Sequence, residues 1–231
     1  MNKFKRKIRK RLRRFLNPDM ITIDGVKIST SREDVTETIR QGLYKETYEE
    51  PERRLVRAAL SKADRVLEIG AGIGLVSLVC SKICGRDNVL SYEANPLLER
   101  VINKNFSLNQ LEPNLRTRAI AARPGAFDFH FAENIFSSSL YDRNLGGKTR
   151  VECDGMQDVM STFEPSVLVL DVEGAEADLL PNADLAMVNK IIVEMHPHVI
   201  GDARIGELRR YLELSGFNLA TADGISELYL R

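Results

Sequence analysis

The stretch from Asp64 to Ile83, DRVLEIGAGIGLVSLVCSKI, constrains the fold more than any other part of this 231-residue chain. An apolar, β-branched run ends beside an acid, three glycines then alternate with other residues, and apolar residues at helical spacing follow. This order predicts a buried strand, a tight loop and a helix. Glycines in such a loop let the backbone approach a bound molecule closely, so we expect a ligand to lie over them.

Short apolar strands and helical stretches alternate along the rest of the chain. Helical spacing occurs at residues 74–85, 96–109 and 174–181, and strand-like residues occur at 126–153. The other predicted strands are RVLEIG, NVLSYEA, LRTRAIA, PSVLVLDVEG and NKIIVEMHP. This alternation predicts an α/β fold with a mostly parallel sheet covered by helices on both faces. A further helix, RIGELRRYLELSGF, precedes two strands around Asp223-Gly224, which we expect to pair as an antiparallel hairpin at the sheet edge.

Charge is distributed unevenly, although the formal net charge is zero. The first 18 residues hold nine Lys and Arg and no acid, whereas the remainder holds 24 basic and 33 acidic residues. We therefore predict a basic amphipathic tail at 1–19, a hairpin with helices at 20–62 and the main α/β domain at 63–231.

The basic tail has a helical pattern of its own. Phe4, Ile8, Leu12 and Phe15 recur at helical spacing, so a helix would carry one apolar stripe between basic flanks. This pattern is typical of an interfacial helix, which predicts peripheral contact of residues 1–16 with an anionic membrane. A solvated arm and a helix packed on its own domain are the alternatives. Nucleic-acid binding is disfavoured because no aromatic stacking platform accompanies the charge.

Hydropathy and cysteine content indicate a cytoplasmic protein. No run of 18 apolar residues occurs, and the first residues lack the apolar centre of a secretory signal, so we expect no membrane span. Cys80, Cys84 and Cys153 match neither a disulfide framework nor a zinc site. They are expected to be small core residues in a reducing compartment.

The glycine spacing narrows the choice of ligand. A dinucleotide-binding loop has the pattern G-x-G-x-x-G, whereas this chain has Gly70, Gly72 and Gly74. Glu68 precedes the first glycine by two residues, where it would repel a pyrophosphate but attract an ammonium group. S-adenosylmethionine has a cationic ammonium and a cationic sulfonium and no phosphate. Glu93 ends the second strand of the unit and is placed to accept hydrogen bonds from ribose hydroxyls.

The segments VLEIGAGIGLVS, YEANPLLERVINKNFSLN, AIAARPGAFDFHF, SSSL, LVLDVEGAE and IIVEMHP together resemble the FkbM-type S-adenosylmethionine-dependent methyltransferases. GLYKETYEEPE is similar to the segment that precedes the first strand in that family. The resemblance implies the class I methyltransferase fold, a Rossmann-like seven-stranded sheet with an antiparallel last strand. It also implies O-methylation, often of a sugar hydroxyl in a polysaccharide, glycolipid or glycosylated natural product. Within the matching segments, Ala94 and Ala121 are predicted to bind the donor and Tyr48 the acceptor.

The chain departs from the family pattern at three positions. The family commonly has Asp at position 68 and Asn at position 72, where this chain has Glu68 and Gly72. It commonly has Lys two residues before Asp171, where this chain has Val169. Glu68 and Gly72 preserve the ligand chemistry expected at those positions. Val169 lacks the charged amine that the family's Lys would supply.

Four polar residues just past the ends of two predicted strands are the candidates for catalysis and acceptor binding: Asp171, Glu173, Glu194 and His196. In an open parallel sheet, ligands bind beyond the carboxyl ends of the strands. His196 is the candidate base for an acceptor hydroxyl, with Asp171 or Glu194 orienting it. Asp171 is also expected beside the donor, and Glu173 and His196 beside the acceptor. Helix capping is the structural alternative for Asp171 and Glu173.

Several alternatives stay open at the level of sequence. Asp171, Glu194 and His196 could instead hold a divalent cation, Mg²⁺ or Mn²⁺, that binds the acceptor hydroxyl. The acceptor could be a small molecule other than a sugar. A NAD-dependent oxidoreductase and a non-catalytic membrane adaptor are further candidates, the first disfavoured by the glycine spacing.

Overall fold

A computed structural model describes residues 3–131, 138–139 and 147–231 of the chain. Its helices are α1 (Lys3–Leu16), α2 (Glu37–Lys45), α3 (Glu50–Ala59), α4 (Leu75–Cys84), α5 (Glu99–Leu108), α6 (Met156–Phe163), α7 (Glu176–Leu179) and α8 (Pro197–Leu214). Its strands are β1 (Met20–Ile23), β2 (Val26–Ser29), β3 (Val66–Ile69), β4 (Val89–Tyr92), β5 (Leu115–Arg116), β6 (Ala119–Ala121), β7 (Gly125–Phe131), β8 (Ser138–Ser139), β9 (Gly147–Gly155), β10 (Val167–Leu170), β11 (Lys190–Glu194), β12 (Asn218–Asp223) and β13 (Ser226–Leu230).

The central sheet has seven strands in the order β12-β13-β11-β10-β3-β4-β5. Strands β11, β10, β3, β4 and β5 pair in parallel, and β13 pairs antiparallel with both of its neighbours. Strands β3, β4 and β10 are buried along their whole length, as expected of strands covered on both faces. The predicted α/β class, with its class I methyltransferase sheet and antiparallel last strand, is confirmed.

The predicted strand LRTRAIA is divided between two sheets. Leu115–Arg116 pairs with β4, whereas Ala119–Ala121 pairs in parallel with β9 of a second sheet whose order is β6-β9-β7-β8. Arg118 forms ion pairs with Glu152 and Asp154 of β9, at 2.6 and 2.8 Å, which favours the second sheet. The choice of partner depends on residues more than thirty positions away, so the local pattern could not show the break.

Helix boundaries agree with the prediction in part. The helices predicted within residues 20–62 are α2 and α3, and Pro51 lies in the first turn of α3. The last helix begins earlier than predicted, at Pro197, and is interrupted at Gly201, where φ is 84°. Proline is favoured at a first helical position, which explains the earlier start. Helix α7 covers only Glu176–Leu179, and a 3-10 turn over Leu180–Asn182 follows because Pro181 has no amide hydrogen to continue the α-helix.

The β1–β2 hairpin and helices α2 and α3 share one buried apolar cluster with β3, α4 and α5. Asn105 of α5 links these parts: its side-chain amide donates to the Ile73 carbonyl, and its side-chain oxygen accepts from the Ser29 amide, both at 2.8 Å. The division at residues 19 and 62 stays a prediction. All three cysteines are buried, as predicted for core residues. Over the part of the chain that the structure describes, no helix has the length and apolar character needed to cross a bilayer.

Candidate active site

A cavity opens at the carboxyl ends of β3, β4 and β10, where ligands bind in open parallel sheets. Among the predicted site residues, Gly70, Gly72, Glu93, Ala94, Asp171, Glu173 and Tyr48 line it. Glu49, Arg118, Ala119 and Ile120 line it as well. Strand pairing explains this grouping, because β3 lies between β4 and β10 and the three strands end at the same edge.

The three glycines of the loop have different structural roles. A Cβ on Gly70 would lie 1.8 Å from the backbone oxygen of Asp171, so the ends of β3 and β10 approach too closely for a side chain. A Cβ on Gly72 would lie 2.9 Å from Glu49 Oε1 and 3.1 Å from the Tyr48 hydroxyl, so Gly72 makes room for the residues above the loop. Gly74 lies outside the cavity wall, and a Cβ there would lie 3.2 Å from Ile102 of α5. Gly74 thus allows α4 to pack closely on α5, and its contact with the donor stays a prediction.

Glu93 occupies the end of β4 as the ribose-binding prediction requires. Its Oε2 accepts a hydrogen bond from the Gly72 amide and its Oε1 from the Asn95 amide, both at 2.8 Å. Burial raises the pKa of this carboxyl to about 7, against the opposing effect of the two amide hydrogen bonds. The carboxylate is therefore fixed beside the glycine loop, and each oxygen keeps a second lone pair for a ligand hydroxyl.

Glu68 is placed differently from the prediction. Its Oε2 accepts hydrogen bonds from the hydroxyls of Ser77 on α4 and Ser91 on β4, the latter at 2.6 Å. The side chain is buried and is absent from the cavity wall. Because Glu68 points from β3 toward α4, it supports the glycine loop from behind and does not face the predicted ammonium group.

The two predicted alanines also differ in placement. Ala94 lines the cavity, whereas Ala121 is buried in the small apolar cluster formed with β9. Ala119 and Ile120 of the same strand reach the cavity in its place. The break between β5 and β6, which the sequence did not show, shifts the residues that face the ligand by one or two positions.

Residues 46–49 form a cap over the glycine loop that sequence reasoning recognised only at Tyr48. Arg53 fixes this segment by donating to the carbonyls of Tyr48 at 3.0 Å and Glu46 at 2.9 Å. Glu49 has a left-handed φ of 46° and lines the cavity. Burial is the main effect that raises the pKa of Glu49 well above its ordinary value. The acids of TYEEPE were the only sequence signal for Glu49.

His196 lies within a group of carboxylates behind the cavity. Its Nε2 is 3.6 Å from Asp171 Oδ1, 3.7 Å from Glu194 Oε1 and 3.9 Å from Glu173 Oε2. The structure thus brings together all four candidates for catalysis and acceptor binding. The side chain of Asp171 is 35% exposed and faces the cavity, whereas that of His196 is 3% exposed. The carboxylates of Asp171 and Glu173 therefore lie between His196 and the cavity.

Glu176 was not predicted, and it joins the loop after β10 to the loop after β11. Its Oε2 accepts from the Gly174 amide at 2.9 Å, and its Oε1 accepts from the His196 amide at 3.0 Å. The same Oε1 lies 3.4 Å from His196 Nδ1. The side chain is fully buried, so it fixes both loops and leaves His196 Nε2 directed at Asp171, Glu173 and Glu194. An acid two positions after Gly174 at the start of a helix was the available signal.

The group is strongly acidic, and its pKa values are displaced. Burial, followed by the nearby carboxylates, raises the pKa of Asp171 to about 7, although the charge of His196 opposes this. Burial and the charges of Asp171 and Glu52 raise the pKa of Glu194 to about 9. Burial would lower the pKa of His196, but Glu176 and Asp171 outweigh it and raise that pKa above its ordinary value. Such displaced values are typical of catalytic groups.

The charge around the cavity favours a cationic ligand. Of the residues that line it, Glu49, Glu93, Asp171 and Glu173 are acidic and Arg118 is basic. Arg118 is already paired with Glu152 and Asp154. A pyrophosphate would be repelled by the carboxylates that line the cavity, whereas a sulfonium and an ammonium group would be attracted.

Asp171, Glu194 and His196 also have the spacing of a cation site. One ligand atom from each of them lies within 4.8 Å of the other two. Two carboxylates and an imidazole suit Mn²⁺, and the carboxylates suit Mg²⁺.

Comparison with known proteins identifies the family to which this site belongs. A family model described as the methyltransferase FkbM domain matches residues 68–219, which is more than half of the chain. A ribosomal protein L11 methyltransferase from Geobacter sulfurreducens is 33% identical over 81 residues. That match covers 35% of this chain and 26% of the relative, so the chain spans about a quarter of the length of this curated relative.

Two solved structures are similar to the chain over most of its length. A methyltransferase FkbM from Methylobacillus flagellatus KT has 11% identity and a TM-score of 0.50, over 86% of this chain and 56% of that one. An O-methyltransferase from Bacillus cereus in complex with SAH has 13% identity and a TM-score of 0.44, over 100% of this chain and 92% of that one. The first of these likenesses shows the shared fold. The family match over residues 68–219, from β3 to β12, establishes that the chain belongs to the methyltransferase FkbM domain family.

Proposed function

We propose that the chain is an S-adenosylmethionine-dependent O-methyltransferase that acts on a sugar hydroxyl in a polysaccharide, glycolipid or glycosylated natural product. The observation that carries the proposal is the acidic cavity between Glu93 and Asp171, with the group around His196 directly behind it. A role in polysaccharide biosynthesis in the cytoplasm fits the family resemblance. An O-methyltransferase of another small molecule is the second candidate, because the carboxylates would bind any polyhydroxylated acceptor.

The chain offers distinct contacts for the two ends of the donor. Glu93 would bind the ribose hydroxyls, Ala94 and Ile120 would lie beside the base, and the carboxylates of Asp171 and Glu173 would face the cationic end. All five residues line the cavity. When bound, the donor supplies a methyl group on a positively charged sulfur, which the acceptor oxygen displaces. Positioning the acceptor in line with that bond accounts for a large part of the rate enhancement.

Removal of the acceptor proton is assigned to Asp171 and His196 acting as a pair. A sugar hydroxyl is a weak nucleophile while it keeps its proton, and a positioned base contributes about 10²- to 10⁴-fold. Asp171 lines the cavity and therefore meets the hydroxyl first. Neutral His196, 3.6 Å behind it, then accepts this proton from Asp171, and Glu176 beside its other ring nitrogen stabilises the imidazolium that forms. This refines the prediction that His196 contacts the acceptor directly.

Replacing Glu93 by glutamine should weaken donor affinity by about 1–3 kcal/mol, the typical contribution of hydrogen bonds to a charged group. Isothermal titration calorimetry with the donor measures this, and Glu99→Gln, an exposed acid nearby, serves as the control. An unchanged affinity in the Glu93 variant would remove Glu93 from the donor site.

The raised pKa of Glu93 predicts that donor affinity depends on pH. Because the donor favours the ionised carboxylate and burial raises the pKa of Glu93 to about 7, donor affinity should fall as the pH drops below 7 and level off above it. Glu93→Gln should flatten that dependence, leaving the contribution of Asp171.

A divalent cation is the alternative to the base mechanism, and the close approach of Asp171, Glu194 and His196 favours testing it. These three residues would hold the ion, which would supply a positive charge that lowers the pKa of the acceptor hydroxyl. Under this mechanism, chelator should abolish turnover and added Mg²⁺ or Mn²⁺ should restore it, whereas under the base mechanism chelator has no effect. Mn²⁺ binding followed by electron paramagnetic resonance, in wild type and Glu194→Gln, gives a readout independent of activity.

The proposed activity is tested by incubating the protein with donor and a panel of glycans and glycolipids, followed by mass spectrometry of the products. The proposal predicts a mass increase of one methylene group on a sugar oxygen. Methylation of only nitrogen or carbon atoms in a matched panel of other acceptors would refute the assignment to oxygen. Thermal stabilisation by the donor and not by NAD distinguishes a methyltransferase from an oxidoreductase, since a ligand that binds the folded state raises the melting temperature.

A further inference from the structure

Helix α1 lies on its own domain through its basic side. Arg6 pairs with Glu50, where one hydrogen bond is 2.7 Å, and Arg9 pairs with Glu46 at 2.6 Å. Arg13 reaches Glu46 at 3.0 Å and also donates to the Tyr44 carbonyl at 3.2 Å. These three arginines recur every three or four positions, so one face of the helix is fixed to the end of α2 and the start of α3.

The apolar stripe of the helix consequently faces outward. Ile8, Leu12, Phe15 and Leu16 are 52%, 54%, 86% and 62% exposed. A surface helix of a globular domain normally buries its apolar stripe and exposes its charges. The reverse orientation leaves a continuous apolar strip on the surface, which marks an interaction site.

Exposed basic residues lie along one side of this stripe. Lys7, Arg11 and Arg14 are exposed and form no ion pair with any residue that the structure describes. The arginines that hold the helix to the domain are a separate set. The helix can therefore bind an anionic surface without breaking the contacts that fix it to the domain.

We propose that α1 is an interfacial helix that docks the protein on an anionic lipid surface, with Ile8, Leu12, Phe15 and Leu16 in the acyl boundary and Lys7, Arg11 and Arg14 at the headgroups. Lipid fits both features, because it offers an apolar layer and negative charge at the same depth. Association of α1 with the same helix of a second copy would bring like charges together. Single-stranded nucleic acid would need a stacking platform, and the stripe is mainly aliphatic.

Docking would place the membrane next to the donor cavity. Glu50, which Arg6 holds, directly follows Glu49, whose side chain lines that cavity. A protein held in this way meets acceptors that are assembled on a membrane. The inference about lipid binding goes beyond the proposed function and does not depend on it.

The test is co-sedimentation of the full chain with vesicles of phosphatidylcholine alone and of phosphatidylcholine with phosphatidylglycerol. We expect binding only to the anionic vesicles, and weaker binding as salt is raised. Replacing Lys7, Arg11 and Arg14 by glutamine should weaken binding about fivefold for each charge, which corresponds to about 1 kcal/mol per residue. Leu12→Ser with Phe15→Ser should weaken it on the order of tenfold or more for each side chain.

Matched controls separate the helix from general surface effects. Leu214→Ser removes a similarly exposed apolar residue at the end of α8, and Arg32→Gln removes an exposed charge outside α1. Both should sediment like the wild type, and all variants should keep donor binding and melting temperature. The proposal is overturned if the wild type does not sediment with anionic vesicles at low salt, or if the Leu12/Phe15 variant sediments as well as the wild type. It is also overturned if the wild type forms a dimer that those two substitutions abolish, because the stripe is then a protein interface.

Discussion

Replacing His196 by alanine is expected to lower turnover about 10²- to 10⁴-fold while donor affinity changes little. The imidazole lies among Asp171, Glu173 and Glu194 and outside the wall of the donor cavity, so its loss removes proton transfer and leaves donor contacts in place. Single-turnover methyl transfer and calorimetric donor binding measure the two effects separately.

A matched variant tests whether this loss is specific. His198 lies two positions further on, its ring centre is 5.7 Å from that of His196, and it is exposed. His198→Ala should retain most of the turnover. Melting curves of both variants check that the fold persists, and His196→Gln, which fills the same space better, should also be slow. If His196→Ala turned over at the wild-type rate, proton transfer by this pair would be excluded.

The pH profile gives a second readout of the same pair. Because Glu176 and Asp171 raise the pKa of His196, its neutral form appears only at a higher pH than for an ordinary histidine. Ionised Asp171 likewise appears above about pH 7. Turnover should therefore rise with pH through and above neutrality, and His196→Ala should alter the upper part of that rise.

Replacing Gly70 by alanine is expected to destabilise the protein by about 2–5 kcal/mol and to abolish donor binding at the temperatures where the wild type binds. The added Cβ would lie 1.8 Å from the Asp171 backbone oxygen, and the φ of 92° is unfavourable for any side chain. Relief of that contact must separate the ends of β3 and β10, which form the floor of the cavity. Denaturant unfolding measures the change.

Gly25→Ala is a control that separates two effects of Gly70→Ala on stability. These are the steric contact with Asp171 and the strain of a side chain at positive φ. Gly25 has a similar φ of 81°, but a Cβ there would meet no atom within 4 Å. This variant should lose only about 1–2 kcal/mol, the strain of a left-handed residue. Equal losses of unfolding free energy in the two variants would show that the close approach of Asp171 to Gly70 adds nothing to the destabilisation.

The fold could be predicted from the sequence where patterns are local and strong. The strand, glycine loop and helix around Gly70 depend on neighbouring residues alone, and the alternation of strands and helices that follows limits the topology to few choices. The split of LRTRAIA could not be predicted in this way. It depends on the pairing of Arg118 with Glu152 and Asp154, which are distant in sequence.

The candidate site was predictable to the extent that strand ends determine it. Glu93, Asp171, Glu173, Glu194 and His196 lie at or just past strand ends, and the sheet brings them to one edge. Glu68 lies one residue before the end of β3, but the side of β3 from which it projects depends on packing against α4. Glu49 and Glu176 were missed for a related reason. Glu49 belongs to a segment that folds over the glycine loop from outside the sheet. Glu176 is a buried acid that accepts hydrogen bonds from the Gly174 and His196 amides, and these two amides come together only in the folded chain.

We propose that the cavity between Glu93 and Asp171 holds the methyl donor with its sulfur toward the carboxylates in front of His196. A crystal structure of the protein with S-adenosylhomocysteine tests this placement. We expect ribose hydroxyls on the Glu93 carboxylate, the adenine beside Ala94 and Ile120, and the sulfur facing Asp171. A ligand bound at any other place, or bound here with its sulfur turned away from Asp171, would contradict it.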